Sequence, residues 1–171
     1  MKFDAAVNAY KVYENEVDFV GHAQLTLPNL TALRVVINGS GIMGNVGVSL
    51  IGHYDAMQMT LNFKLMNEAT ARLNAPRRHN ISVLLAHQSE DAAKGAIISD
   101  TVKHIFVAQP ATLTGGTVAP AVANDGNILF DVKYWAQYIN GAKVLEIDPL
   151  NRICFMDGQD WLQPVRTALG E

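Results

Sequence analysis

A glycine-rich segment is the part of this sequence that most resembles a cofactor-binding motif. Residues 39–44 read Gly-Ser-Gly-Ile-Met-Gly and follow residues 33–37, which are typical of a strand. In a dinucleotide-binding fold this spacing ends a strand and opens a helix whose N-terminus holds the pyrophosphate. Here residues 45–48 read Asn-Val-Gly-Val, which is a poor beginning for a helix. We expect an uncharged hairpin tip, and a nucleotide-dependent oxidoreductase remains the weakest alternative.

Histidine and cysteine do not form a recognisable site either. Cys154 is the single cysteine, which excludes a disulfide framework and favours a small core residue. The histidines lack the i, i+4 spacing of a helical zinc motif. They are His22, His53, His79, His87 and His104. We therefore predict no metal site and no cysteine–histidine nucleophile.

Two carboxylates could in principle work as a pair. Glu146 and Asp148 alternate on one predicted strand, and paired carboxylates are the catalytic groups of glycosidases. A solvated or interfacial strand edge is the simpler interpretation. Arg77, Arg78 and His79 form a basic cluster that is too short for a nucleic-acid patch. The sequence thus predicts no catalytic residue, no cofactor and no enzyme.

The elements that would have to position these residues belong to one domain. The chain has 171 residues, of which 49% are hydrophobic and only 17% charged, against about 25% charged in a typical domain. The net charge of −3 argues against a protein that binds nucleic acid through a basic face. We expect a single domain over residues 1–171, with part of its surface covered by partners.

Two segments, residues 35–54 and 105–124, contain no Asp, Glu, Lys or Arg. Each reaches about the length that spans a membrane, but glycines interrupt the first and glycines and prolines the second. The N-terminus lacks the uninterrupted apolar core of a secretory signal. We therefore predict no membrane anchoring, and the missing charge requires another explanation.

Alternation of apolar and polar residues predicts antiparallel strands. Residues 56–66 place Met57, Met59, Leu61, Phe63 and Leu65 on an apolar face, opposite Gln58, Thr60, Asn62 and Lys64. Residues 18–27 likewise place Ala23, Leu25 and Leu27 opposite His22, Gln24 and Thr26. The other predicted strands cover residues 5–13, 33–38, 46–51, 81–87, 98–108, 127–139 and 143–147.

Turn and helix signals complete this prediction. Asn38-Gly39, Asn140-Gly141 and Asp157-Gly158 favour type I′ hairpin turns. Residues 67–74 predict a helix that Asn67 caps and Pro76 ends, and residues 160–169 predict a second short helix. The predicted fold is mainly β with one or two short helices.

Several motifs, taken in order, resemble the major tail tube proteins of contractile-tailed phages. The first is Thr-Leu-Pro-Asn-Leu at 26–30, followed by the glycine-rich loop, where Ile42 is inserted into the family's pattern. The strongest is residues 138–151, in which Asn-Gly leads to Glu-Ile-Asp. Asp157-Gly158 and the basic end at residues 166–170 also match.

This resemblance implies a two-sheet antiparallel β-sandwich or barrel with one flanking α-helix. It further implies a long hairpin arm at about residues 35–51 and a C-terminal segment at about 158–171. In the family, six subunits join their sheets into a ring around a lumen, and rings stack into the inner tube of the tail. The uncharged arm then makes sense as a segment buried against neighbouring subunits, because interface cores are depleted in charge.

We accordingly expect two functional surfaces. The inter-subunit hairpin comprises Gly39, Gly41, Ile42, Met43, Gly44 and Val46. The lumen-facing residues comprise His22, Gln24, Thr26, Gln58, Thr60 and Asn62. A neutral lumen wall suits a conduit for DNA, because each neutralised phosphate adds binding that slows transit.

The resemblance also implies partners and a location. The partners are further copies of the chain, the tail sheath protein, the tape measure protein, and the baseplate and tail terminator proteins. DNA passes through without sequence-specific binding, and the protein resides in the virion after assembly in the bacterial host cytoplasm. A tube subunit of a contractile bacteriocin or secretion device is the alternative. Another class, a β-sandwich ligand-binding module, needs exposed aromatic platforms, and Trp135 and Trp161 are the only tryptophans.

Overall fold

The computed structural model describes residues 2–16, 18–19 and 23–171, most of which lie in antiparallel strands. This mainly β architecture with few helices confirms the predicted fold class. Within the described ranges the elements are β1 (Lys2–Glu14), β2 (Asp18–Phe19), β3 (Ala23–Thr26), β4 (Ala32–Ile37), β5 (Val46–Tyr54), β6 (Met57–Phe63), α1 (Glu68–Leu73), β7 (His79–Asp91), β8 (Ala96–Thr114), β9 (Gly126–Ile139), β10 (Ala142–Asp148), β11 (Ile153–Met156), β12 (Gln159–Asp160) and α2 (Gln163–Ala168).

The strands form one ten-stranded sheet and one two-stranded ribbon. The order in the large sheet is β12-β11-β10-β9-β8-β7-β1-β2, and β6 pairs with β9 and carries β3 on its other side. The sheet branches at β9, whose first half pairs with β6 and whose second half pairs with β10. The ribbon consists of β4 and β5.

Strand β8 follows β9 through both halves of the branched sheet. Its pairing register shifts between Val107 and Ala108 and again between Pro110 and Thr112. Proline cannot donate a backbone hydrogen bond, and inside a sheet it is tolerated at such irregularities. The pairing of β8 with β7 ends at Ala108, so Pro110 lies in the part of β8 that pairs with β9 alone, beside a bulge.

A single apolar cluster joins the strands to α1. Met57, Met59, Leu61 and Phe63 are buried on one face of β6, as the alternation predicts. They pack in the same cluster as residues of the neighbouring strands, among them Phe106, Ile128 and Phe130. Full burial of a large apolar side chain contributes roughly 1.5–3 kcal/mol. This face of the large sheet is thus the core of the protein.

Two leucines that the alternation places with the core lie outside it. Leu65 is 66% exposed because β6 ends at Phe63, and Leu27 is 40% exposed because β3 ends at Thr26. Of the predicted strand 18–27, the structure describes β2, which pairs with β1, and β3, which pairs with β6, and residues 20–22 lie outside the described residues. A strand pattern in sequence does not determine where pairing stops, and the prediction that Leu27 and Leu65 lie in the core was wrong.

Two of the three predicted type I′ turns are confirmed. Ile139 pairs with Ala142, and Asn140 and Gly141 between them have φ values of 48° and 82°. Met156 pairs with Gln159 across Asp157 and Gly158, at 54° and 74°. Asn38-Gly39 is not such a turn, because Ile37 pairs with Val46 and the connection spans residues 38–45.

Both helices are short. Asn67 caps α1, where its Oδ1 accepts the backbone N–H of Thr70 (3.1 Å) and its own N–H donates to Thr70 Oγ1 (3.3 Å). Helix α2 begins at Gln163, with Pro164 in its first turn, rather than at residue 160. No helix in the described ranges is long and apolar enough to cross a membrane.

Candidate functional site

The ribbon of β4 and β5 exposes an apolar stripe. Val35 pairs with Val48, and Ile37 pairs with Val46. Because side chains two residues apart share a face of a strand, Leu33 and Leu50 extend the same stripe. Each of these six side chains is 39–48% exposed although large and apolar.

The opposite face of the ribbon is also exposed. Val36 and Ile51 lie there and are 61% and 62% exposed. An isolated two-stranded ribbon is at best marginally stable in water, and exposed apolar patches of this kind mark interaction sites. The ribbon therefore has two faces suited to covering by another molecule.

The glycine-rich segment forms the tip of this ribbon. Met43 is fully exposed, Ile42 is 39% exposed, and Gly41 and Gly44 have φ values of 95° and 99°. Strand β5, rather than a helix, follows the motif. The geometry that a dinucleotide pyrophosphate requires is absent from this segment, and the predicted hairpin tip is observed. The predicted inter-subunit residues, Gly39, Gly41, Ile42, Met43, Gly44 and Val46, all lie at this end of the ribbon.

The base of the ribbon contacts the C-terminal part of the chain. The Tyr54 hydroxyl lies 3.6 Å from Cys154 Sγ. Burial, and then the contact with Cys154, raise the pKa of Tyr54 to about 12. Two residues earlier, Gly52 lies against the side chain of Leu162. Cys154 is therefore a buried core residue whose thiol contacts a tyrosine rather than a histidine.

The predicted lumen residues share one polar face of the large sheet. Gln24 pairs with Asn62, and Thr26 pairs with Thr60, across β3 and β6. Gln58 pairs with Asp131 of β9, and its Nε2 donates to the Asp131 carboxylate at 3.0 Å. The five residues therefore lie together, opposite the buried face of β6. His22, the sixth predicted member, lies outside the described residues.

Strand β1 forms an edge of the large sheet. Among the described residues, β1 pairs with β7 along its length, and its other side pairs only at Tyr13 with Phe19 and at Glu14 with Asp18. The segment from Lys2 to Val12 thus presents backbone donors and acceptors without a described strand partner. Long unpaired edges favour pairing with another chain.

A buried ion cluster, which sequence reasoning missed, connects β1 to α1. The Glu14 carboxylate accepts from Arg72 Nε (2.8 Å), Arg77 Nη2 (3.0 Å) and His79 Nδ1 (2.6 Å). Burial raises the pKa of Glu14, but hydrogen bonds from His79 and Arg72 outweigh burial and hold it below its usual value. The sequence signal was the Arg77–His79 basic cluster, whose acidic partner lies more than sixty residues earlier in the chain.

The carboxylates considered as a catalytic pair are engaged separately. Glu146 accepts from the Tyr134 hydroxyl (2.8 Å) and from Lys143 Nζ (2.6 Å). Asp148 instead accepts the backbone N–H groups of Leu150 and Asn151, which stabilises the turn after β10. Both carboxylates thus have structural partners, and their arrangement does not resemble a glycosidase site.

Two further candidate residues, His104 and Trp135, are buried in the protein. Trp135 Nε1 donates to His104 Nδ1 at 3.2 Å, and both side chains are buried. Burial, and then the charge of His87, lower the pKa of His104 to about 4. Within the described ranges, no group of three or more His, Cys, Asp or Glu side chains could hold a metal ion. Because Trp135 is buried, it does not provide the aromatic platform that a ligand-binding module needs.

Comparison with protein families gives one match over nearly the whole chain. The model of the family "Phage tail tube protein FII" matches residues 4–170. The search of curated proteins finds no match.

Two solved structures have a similar fold. Both chains come from the extracellular contractile injection system PVC in its extended state. The first, from the sheath–tube complex, is 11% identical with a TM-score of 0.53, over 75% of this chain and 87% of that one. The second, from the sheath/tube terminator, is 13% identical with a TM-score of 0.54, over 80% of this chain and 97% of that one.

Proposed function

The chain belongs to the phage tail tube protein FII family, and we propose that it builds the inner tube of a contractile tail as stacked hexameric rings. In this proposal the lumen of the rings conducts DNA when the surrounding sheath contracts and drives the tube through the cell envelope. The protein acts by assembly and does not catalyse a reaction.

The apolar ribbon is the observation that carries the proposal. Its six-residue stripe from Leu33 to Leu50 is exposed, and Val36 and Ile51 are exposed on its other face. Burial of apolar surface releases roughly 25 cal/mol per Å², so covering two faces of a ribbon would supply strong association. A subunit that touches one neighbour with each face of the ribbon would explain why Arg34 is the single Asp, Glu, Lys or Arg residue in residues 32–54.

The edge of strand β1 supports closure into a ring. A neighbouring copy that adds a strand along Lys2–Val12 would satisfy the backbone groups of that edge. Cyclic symmetry repeats the same contact at every subunit and leaves no edge open. The large sheets would in this way become one continuous wall.

The polar face around Gln58, Thr60 and Asn62 is the proposed lumen wall. Its amides and hydroxyls are neutral, and Asp131 contributes a carboxylate that Gln58 engages. Such a wall would not attract phosphates, so DNA would pass without being held.

The proposed partners follow from position in a tail. They are the sheath around the tube, the tape measure protein within it, the baseplate below it and the terminator above it. The PVC chains with the same fold come from sheath–tube and sheath/tube terminator complexes, which supports sheath and terminator contacts here. We place the protein in the virion after assembly in the host cytoplasm. A contractile bacteriocin or secretion device would use the same subunit without DNA.

Electron microscopy of the purified protein tests the proposal. The native chain is expected to form rings or hollow tubes, whereas the double variant I42D/M43D is expected to stay folded and unassembled. V118D/V122D is the matched control, because it adds the same charge at exposed apolar positions outside the ribbon. Tubes formed by I42D/M43D as readily as by the native chain would overturn the role of the ribbon.

A further inference from the structure

The ribbon meets the rest of the protein at a very close contact. Gly52 has a φ of 72°, and a Cβ built on it would lie 2.5 Å from Leu162 Cδ1 and 2.6 Å from Cγ. These separations are well below van der Waals contact, so the Leu162 side chain occupies the space that any residue other than glycine would need. Leu162 is 7% exposed and belongs to the apolar core cluster.

Leu162 is itself fixed by Asp160. One carboxylate oxygen, Oδ1, accepts the backbone N–H of Leu162 (3.1 Å) and that of Cys154 (3.2 Å). The other oxygen accepts from Arg166 Nη2 at 2.6 Å. Burial raises the pKa of Asp160, but the hydrogen bond from Arg166 and the two backbone N–H groups outweigh it and lower the pKa overall.

Two contacts therefore join the end of β5 to the C-terminal segment, taken from here on as residues 153–168. Gly52 meets Leu162, and Tyr54 meets Cys154 at 3.6 Å. Both contacts lie at the base of the ribbon, where the positive φ of Gly52 interrupts the regular alternation of β5. The pairing of β4 with β5 also shifts register between Ala32 and Arg34, which bends the ribbon at the same level.

We infer that the C-terminal segment sets the direction in which the ribbon leaves the sheet, with Leu162 as the positioning residue. The inference rests on the proposed function of the ribbon as an assembly arm. An arm that must meet a neighbouring subunit loses binding free energy if it has to be ordered during docking, and a fixed direction removes that loss.

The substitution G52A tests the contact, with G95A as its matched control. Gly95 has a similar φ of 61°, but a Cβ there meets no described atom within 4 Å. Both variants carry the strain of a non-glycine residue at positive φ. Only G52A must displace Leu162, so differences between the two report on the contact rather than on the turn.

We expect G52A to raise the protein concentration needed for half-maximal tube formation about tenfold relative to G95A, which corresponds to about 1.4 kcal/mol. L162A removes the side-chain atoms against which Gly52 packs, and it is expected to raise the concentration for half-maximal tube formation by a similar factor. The double variant G52A/L162A should differ from L162A by no more than G95A differs from the native chain, because the clash has disappeared and only the strain at positive φ remains. Equal assembly of G52A and G95A, or purely additive effects in the double variant, would overturn the inference.

The direction of the arm can be measured in the unassembled protein. Nitroxide labels on M43C at the ribbon tip and S99C on β8 report the distance between arm and sheet, and the native Cys154 is buried. G52A and L162A are expected to shift or broaden this distance distribution, whereas G95A should not. If G52A does not fold, the distance is measured in L162A instead, because removing side-chain atoms introduces no clash. An unchanged distribution in L162A would contradict the inference.

The two proposals fail in different ways. If I42D/M43D assembles normally, the ribbon is not an assembly arm. If I42D/M43D does not assemble but G52A and L162A behave like G95A, the ribbon is an assembly arm, and only the positioning role of Leu162 is wrong.

Discussion

His79 Nδ1 lies 2.6 Å from Glu14 Oε1, and both side chains are almost completely buried. The other ring nitrogen of His79 lies 3.0 Å from the backbone oxygen of Ala75. Each ring nitrogen of His79 therefore faces an oxygen atom, one on β1 and one in the segment after α1. These two contacts tie β7 to β1 and to the segment after α1.

Replacing Glu14 by glutamine is expected to destabilise the protein strongly. E14Q keeps the size of the side chain but removes the buried negative charge that Arg72 and Arg77 contact, and it replaces one acceptor oxygen by an amide donor. Breaking a buried ion pair lowers the free energy of unfolding by about 3–5 kcal/mol. Because both arginines are partly exposed to water, we expect a loss near the lower end of this range, about 3 kcal/mol. Urea denaturation measures the change. E16Q is the control, because an exposed surface ion pair such as Glu16–Lys103 contributes little to stability. Equal losses in E14Q and E16Q would contradict this account.

Stability should fall between pH 6.5 and pH 4 because of His104. Its pKa is lowered to about 4 in the folded protein, from an ordinary value of 6.5. The unfolded chain thus binds this proton first, and the folded state loses up to about 3 kcal/mol as the pH falls through this range. Denaturation midpoints at pH 7, 5.5 and 4 measure the effect.

H104Q should flatten that pH dependence while keeping an acceptor for Trp135. The exposed His53 supplies the control, since H53Q should retain the native profile. Glu14 acts in a different range: its pKa is lowered, so the stability it contributes is present above its usual value near 4.5 and is lost at lower pH. A native-like slope between pH 6.5 and 4.5 in H104Q would show that His104 is not responsible.

Arginine side chains on the proposed lumen wall should lower the rate at which DNA passes through the tube. The triple variant Q58R/T60R/N62R is expected to assemble and to reduce the rate of DNA delivery, because added positive charge binds phosphates. The neutral variant Q58N/T60S/N62Q should deliver at the native rate. Delivery rates of assembled particles measure this, and normal delivery by the arginine variant would remove the lumen assignment.

Asp160 is expected to hold the C-terminal segment in place. D160N weakens the pairing with Arg166 and replaces a charged acceptor of two backbone N–H groups, which should cost about 1–3 kcal/mol. Limited proteolysis after β11 and thermal denaturation both measure the loss. D157N is the control, since asparagine is well suited to the positive φ of that turn position. If D160N is as stable as D157N, these hydrogen bonds contribute little.

Local signals predicted local structure well in this chain. Asn140-Gly141 and Asp157-Gly158 form the turns that their residue types favour, and Asn67 caps α1. The signal failed at Asn38-Gly39, because β5 begins only at Val46 and leaves an eight-residue connection, residues 38–45, after β4. Strands β11 and β12 were missed because they are four and two residues long, too short for a pattern.

Long-range relationships were beyond sequence reasoning. The Glu14 cluster joins residues 58 to 65 positions apart, and neither periodicity nor composition reports such pairs. The alternation along β6 correctly predicted its buried face from Met57 to Phe63, yet it did not show that β3 and β9 would be the neighbours. The contact of Gly52 with Leu162 was missed for the same reason.

The double-sided exposure of the β4–β5 ribbon also bears on how assembly starts. Two unassembled subunits each bring a ribbon that is marginally stable alone, so their first encounter must order both at once. At the end of a tube built as proposed, the ribbons already present are held by neighbours, and an arriving subunit has only its own to order. Growth is then favoured over initiation, which predicts a lag phase that preformed tube ends abolish.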